Sequence, residues 1–197
     1  MAQRWNHNIA YHHWILDQFP SAPGRVLDVG CGEGVLAREL SARGAHVVGI
    51  DMHGPSLALA MATPEPRVAY VLGDFLSQAF EPGSFDGVVS IATLHHCNPA
   101  AGLTRMAELL RPGGRLVVVG CARSELPRDI AYEIAAAAGH RAIAPFHTYW
   151  EHASPTVWPP PQTYREMRAL SAATLPGSRF RRRLLWRYSL TWVKPAA

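Results

Sequence analysis

The stretch Val26-Leu27-Asp28-Val29-Gly30-Cys31-Gly32-Glu33-Gly34 is a short apolar run that leads into a glycine-rich turn with an acid at its mouth. Val26, Leu27 and Val29 favour extended backbone, whereas Gly30, Gly32 and Gly34 let the chain turn sharply and bring backbone N–H groups against a ligand. Val35 to Arg43 then reads as a helix whose positive end lies at the turn, which favours anionic or strongly polarised ligand groups. A nucleotide-like ligand is expected. A dinucleotide fits poorly: its fingerprint places glycine at the first, third and sixth positions, and the sixth from Gly30 is Val35. Asp28 would repel a dinucleotide's phosphates and instead suits a hydrogen-bond donor or a ligand ammonium.

Outward from the turn, strand-like and helix-like segments alternate. His46 to Asp51 reads as a second strand, ending in an acid about 20 residues beyond the glycines. Val68 to Leu72 reads as a third, running into Gly73-Asp74-Phe75, and Phe85 to Ile91 as a fourth, followed by Ala92-Thr93-Leu94-His95-His96. Leu109-Leu110-Arg111-Pro112-Gly113-Gly114 closes a helix and turns into a fifth strand, Arg115 to Val119. Gly34 to Arg43, Ser56 to Met61 and Pro99 to Leu110 are the crossover helices, and Ser124 to Gly139 reads as a further one. The pattern predicts an α/β fold with a doubly wound, mostly parallel Rossmann-like sheet, its ligands at the strand C-terminal ends.

Taken together, these motifs resemble the class I S-adenosylmethionine-dependent methyltransferases, in particular the type 11 methyltransferase domain family, over residues 26 to 120. The resemblance implies a seven-stranded-type sheet and S-adenosyl-L-methionine as cofactor, with S-adenosyl-L-homocysteine as product. It implies cofactor contacts from Asp28, Gly30, Cys31 and Gly32 at the turn, Asp51 on the ribose hydroxyls with Met52 beside it, and Ser90 and Ile91 on the fourth strand. Asp74 would accept from the adenine amino group while Phe75 borders the ring. Transfer also needs the acceptor held in line and, for a hydroxyl or protonated nitrogen, a proton acceptor. Histidine suits that role near neutral pH, so His95 is expected first as the base, with His96 beside it. Leu-His-His is widespread in the resembling family across different acceptors, so a positioning role is the competing reading.

The chain has 197 residues, 48% hydrophobic and 17% charged, which suits one domain with a full core: a cap over 1–22, a cofactor core over 23–122, a lid over 140–162 and a C-terminal strand over 178–193. No apolar run approaches a membrane span and Met1 to Trp14 has no secretory pattern, so a cytoplasmic protein without membrane contact is expected, as a monomer or homodimer. Cys31, Cys97 and Cys121 are widely separated and read as small buried hydrophobes, not as a disulfide scaffold or zinc site. No metal is expected. If Asn8 to Phe19 is a helix, His7 and Tyr11 share a face and join the catalytic candidates.

Residues 140–162 are rich in Pro, His and aromatics, and read as a lid facing the substrate. Gln162 to Leu175 reads as a helix. From Leu184 the even positions Leu184, Trp186, Tyr188, Leu190 and Trp192 form a strand face; the family usually ends in a hairpin. No Gly, Asn or Asp stands between Arg179 and Val193, which leaves open a single long strand, a bulge near Leu184-Leu185, or an atypical C-terminal strand pair. The arginines at 179 and 181–183, with a net charge of +4, raise RNA as a partner, and the bland reading is an edge strand protected by charge. The fourth strand lacks the Asp/Asn-Pro-Pro-aromatic sequence of base-amine methylation, so nucleic acid is not the expected partner. The expected function is methylation of oxygen or nitrogen, with carbon less favoured, on a small molecule with an aromatic or apolar body. The alternatives are a cofactor-binding protein with a regulatory or non-methylating role, and an RNA-modifying methyltransferase.

Overall fold

The computed structural model describes residues 4–150 and 156–196. The central strands are β2 (Arg25–Val29), β3 (His46–Asp51), β4 (Val68–Leu72), β5 (Phe85–Ile91) and β6 (Leu110–Gly120), preceded by a short β1 (Arg4–Trp5). Later come β7 (Thr148–Tyr149), β8 (Arg179–Arg183) and β9 (Arg187–Val193). The seven-stranded sheet has the order β4-β3-β2-β5-β6-β9-β8. β2 to β6 pair in parallel, while β9 runs antiparallel to β6 and β8 antiparallel to β9. The order reverses between β2 and β5, and the crevice beyond their C-terminal ends is where such sheets bind ligands.

The helices are α1 (His12–Leu16), α2 (Val35–Ala42), α3 (Gly54–Met61), α4 (Pro99–Leu109), α5 (Ile130–Ile143) and α6 (Tyr164–Thr174). Alternation along the strands divides the core between the two faces. Leu27, Val29, Val88, Leu116 and Val118 pack with Leu103 and Met106 of α4 and Met167 of α6. Val26, Val89, Val117 and Val119 pack with Ile15 of α1 and with Leu36 and Leu40 of α2. Asp28 shares its parity with Val26, so its carboxyl enters this second layer and is buried. α6 begins on a capping box in which Thr163 and Glu166 each bond the other's backbone N–H.

Two expectations are corrected and one open choice is resolved in favour of a C-terminal strand pair. The span 8–19 is a single 3-10 turn, Ile9–Tyr11, followed by the short α1, so His7 lies ahead of any helix. α5 starts at Ile130 rather than Ser124, and of its residues only Ala136 is buried. The chain also ends in a true hairpin, although the turn has no Gly, Asn or Asp: Leu185 and Trp186 adopt left-handed φ values of 55° and 54°. Such a conformation costs bulky residues about 1 kcal/mol or more apiece. Side chains around the turn hold it there. Tyr11 Oη donates to the Leu184 carbonyl at 2.6 Å, Arg187 Nη1 reaches the Leu185 and Trp186 carbonyls at 3.3 Å each, and Trp186 Nε1 donates to Glu133 Oε2 at 2.8 Å. Tyr188, Leu190 and Trp192 keep the expected strand face toward the core, whereas Leu184 and Trp186 belong to the turn.

The arginine-rich strand divides by face. Arg182 bonds Asp129 at 2.5 Å and lies between the rings of Tyr132 and Tyr164, which ties β8 to the start of α5. Arg183 stacks on Trp14 and donates to Ser189. Arg179 and Arg181 are exposed at the sheet edge. The segment anticipated as a lid is partly ordered secondary structure. Its residues 140–143 end α5, Ala144–Phe146 form a 3-10 turn, and β7 pairs with β1, extended by a bond from Trp150 N to the Trp5 carbonyl at 2.8 Å. Residues 151–155 of it lie outside the described residues. Among the described residues no helix is long and apolar enough to cross a membrane.

Candidate active site

The glycine turn follows β2 at the sheet's switch point. Gly30 has φ +72°, and a Cβ there would lie 2.1 Å from Thr93 Oγ1, so the chain after β5 packs directly on the turn. Thr93 Oγ1 in turn donates toward the Val29 and Ile91 carbonyls, joining the two strand ends. Ala92, immediately before it, sits at φ 52°. The backbone N–H groups do not stand open as an anion cradle, contrary to expectation. Those of Gly30 and Cys31 go to the Ile50 carbonyl, that of Gly34 to the Cys31 carbonyl, and that of Gly32 to Asp51 Oδ2 at 2.7 Å.

Asp51 therefore organises the turn. Its other oxygen accepts from His53 N, also at 2.7 Å, so the carboxylate bridges the ends of β2 and β3 and retains further acceptor capacity on the wall of the cavity. Asp74 Oδ1 accepts from Leu76 N at 3.0 Å and shapes the loop after β4. Asp28 differs from both: its Oδ2 is buried and has no hydrogen-bond partner. Burial first, then the nearby charges of Asp51 and Glu39, raise its pKa from the ordinary carboxylate range to about 7.

These groups open on a cavity of about 380 Å³. Asp28, Gly30, Cys31, Gly32, Asp51, Met52, Asp74, Phe75 and Ile91 all line it, as does Glu33, and among the described residues no Lys or Arg does. Ser90 does not: it is fully buried and bonds the Val29 carbonyl at 2.9 Å. Cys31 remains a thiol, its pKa pushed up by burial.

A second cavity, of about 570 Å³, adjoins the first and shares Asn6, Asn8, Ala92, His96 and Trp150 with it. Tyr149, Trp158 and Trp186 give it aromatic walls, and His7, His95 and Arg187 its polar ones. Burial, with Arg187 among the further causes, lowers the pKa of both His7 and His95 to about 4, so both imidazoles are neutral at pH 7. His95 Nδ1 is buried without a partner, and His7 bonds His140 ring to ring at 3.0 Å. Tyr11 lines neither cavity; its hydroxyl is committed to Leu184.

Sequence reasoning passed over Asn6, Asn8, Ala92 and Arg187. Asn6 Oδ1 accepts from the N–H groups of Asn8 and Ile9, which folds the segment after β1 over both cavities. The Asn-His-Asn sequence at 6–8 was a usable turn signal. Nothing local marks Ala92 as left-handed. Among the described residues no group of three or more His, Cys, Asp or Glu side chains is placed to hold a metal ion.

A family model described as a methyltransferase domain matches residues 27–118. An uncharacterized methyltransferase of Mycobacterium tuberculosis is 35% identical over 200 residues, spanning 99% of this chain and 100% of that protein. A ubiquinone biosynthesis O-methyltransferase of Ralstonia nicotianae is 38% identical over 108 residues, covering 52% of this chain and 45% of the relative. In fold, the chain is similar to Haemonchus contortus phosphoethanolamine N-methyltransferase 2, solved in complex with phosphomonomethylethanolamine and S-adenosylhomocysteine. That likeness has a TM-score of 0.67 at 20% identity, over 97% of this chain and 53% of the other. The chain belongs to the class I S-adenosylmethionine-dependent methyltransferases.

Proposed function

We propose that the acid-lined cavity holds S-adenosylmethionine and that the aromatic cavity beside it takes the acceptor, a small molecule with an aromatic or apolar body that is methylated on oxygen or nitrogen. The observation that carries this reading is the orphaned, buried Oδ2 of Asp28, a residue on the wall of a cavity that among the described residues is lined by four acids and no Lys or Arg. An unpartnered buried carboxyl oxygen is costly unless a ligand donor meets it, and the cofactor's ammonium is such a donor. The acids also favour the positive sulfonium and disfavour a dinucleotide's phosphates.

Within that reading Asp51 receives the ribose hydroxyls on its free lone pairs while it fixes the glycine turn. Asp74 receives the adenine amino group, and Phe75, Met52 and Ile91 border the apolar parts. When bound, the sulfonium supplies an electrophilic methyl group. Asn6, Asn8, Ala92, His96 and Trp150 form the wall common to both ligands and set the line of approach. His95, neutral and with Nδ1 unpartnered, accepts a hydrogen bond from the acceptor, and its lowered basicity makes positioning its main contribution.

Titration calorimetry with S-adenosylmethionine, S-adenosylhomocysteine and reduced nicotinamide dinucleotide tests the cofactor assignment. Micromolar binding of the first two, about −8 kcal/mol, with none of the third is the expected result. Binding of the dinucleotide alone would refute it.

A further inference from the structure

The second cavity has a sign. Among the described residues that line it there is no Asp or Glu, and Arg187 is its one Lys or Arg. Arg187 starts β9 directly after the left-handed turn, and its guanidinium is held by neutral acceptors only. Nε and Nη2 donate to Asn8 Oδ1 at 3.1 and 2.8 Å, and Nη1 reaches the carbonyls of Leu185 and Trp186. No carboxylate of the described residues pairs with it. The group is therefore fixed in position, keeps a whole positive charge, and stands in a half-enclosed site walled by Tyr149, Trp158 and Trp186. In such surroundings a guanidinium gains most from an anionic oxygen group that completes its hydrogen bonds.

We propose that the acceptor is an aromatic or apolar small molecule bearing an anionic oxygen group, a carboxylate or a phenolate, and that Arg187 is the residue that selects it. The proposal rests on the reading of the second cavity as the acceptor site. The neutrality of His7 and His95 supports it, because these two imidazoles add no further charge beside Arg187. The opposite sign of the neighbouring cavity supports it too: cationic cofactor groups and an anionic acceptor sort themselves between the two halves.

The test is competition calorimetry on the whole chain saturated with S-adenosylhomocysteine, using matched rings: benzoate against benzamide, and para-nitrophenolate against nitrobenzene. The anion of at least one pair should bind about tenfold or more tighter than its neutral partner. The preference should vanish in Arg187→Gln and persist in Arg181→Gln, which removes an exposed edge charge of the same strand pair. Which pair shows it tells carboxylate from phenolate. Absence of preference in both pairs, or its survival in Arg187→Gln, would overturn the proposal. Should that variant fail to fold, the Arg187 Nε–H resonance of the native protein decides: it must move on adding the preferred anion and stay still with the neutral ring. Failure of S-adenosylhomocysteine to bind the native protein would instead overturn the cofactor reading beneath.

Discussion

The two cavities lie side by side but draw on different parts of the chain. The acidic one is built from strand ends and the turns that follow them: Asp28, Asp51 and Ile91 lie in the parallel ladders of β2, β3 and β5, and Asp74 stands in the loop after the edge strand β4. The aromatic one adds to His95, His96 and Cys121 the residues 6–8, 149–150, 156–158 and 186–187, which the β1–β7 pair, the hairpin turn and the Asn8–Arg187 bonds bring together. Backbone ladders at the switch point hold the first, and side-chain contacts among histidines, tryptophans and Arg187 hold the second. A common scaffold can keep a cofactor while its acceptor side is rewritten, because the two depend on different elements.

The largest expected effect would come from Asp51→Ala, which takes the acceptor from Gly32 and His53 N–H groups together. S-adenosylhomocysteine affinity should fall by about a hundredfold or more in calorimetry, with a stability loss of about 1–3 kcal/mol for the unpaired donors. Unchanged affinity would detach the acidic cavity from the cofactor and erase the contrast between the halves.

Asp28→Asn should act next, at about tenfold in affinity, and it carries a pH signature. With its pKa near 7, Asp28 is protonated in the ligand-free protein below that pH and must ionise to meet the ammonium. Native affinity should therefore rise with pH up to about 7 and level off above it, falling by up to tenfold per unit below. The asparagine variant should show a flat profile over that range. In the ligand-free protein the raised pKa stabilises the fold at low pH, and that contribution is lost as pH rises through about 7. Asp28→Asn should thus melt higher than the native protein at alkaline pH, by scanning calorimetry without cofactor.

The acceptor half should answer pH in the opposite sense. His7 and His95 have folded pKa values near 4, below the ordinary 6.5, so their contribution is present above 6.5 and lost as pH falls toward 4. Hydrogen exchange at about pH 5, corrected for intrinsic rates, should show the 4–9 and 148–150 amides opening while β2, β3 and β5 stay protected. Uniform protection would mean that the halves open as one. The smallest effect is expected at Ala92: Ala92→Gly relieves a left-handed alanine and should raise stability by about 1 kcal/mol in denaturant titration.

Much of this was written locally in the sequence. Apolar runs ending in Gly or Asp marked β2 to β4, and the run Val88 to Ile91 marked β5, because strands of a parallel sheet need such runs and ligand-facing acids fall at their ends. The glycine turn was legible in place but not in use: its N–H groups pair with Ile50, Cys31 and Asp51, and no single segment announces where a backbone donor will find its partner. The hairpin stayed one of several alternatives for a related reason. Leu185 and Trp186 lack turn chemistry, and Tyr11, Glu133 and Arg187, far off in the chain or just beyond the turn, hold them in it. Arg187 read as one more basic residue of a strand, since only the tertiary fold sets it in a cavity whose described residues include no acid. The start of α5 was anticipated too early because helix propensity at 124–129 yields to the Asp129 clamp, which accepts from Glu125 N and from Arg182.

The wall that the two cavities share makes them thermodynamic partners. Asn6, Asn8, Ala92, His96 and Trp150 cannot adjust to one ligand without presenting a changed face to the other. Whatever factor the cofactor applies to acceptor affinity, the acceptor must return to the cofactor, since the two binding free energies close a cycle. Product release inherits the same reciprocity: loss of the acceptor-side occupant resets the grip on the nucleoside, and exchange on one side is heard on the other.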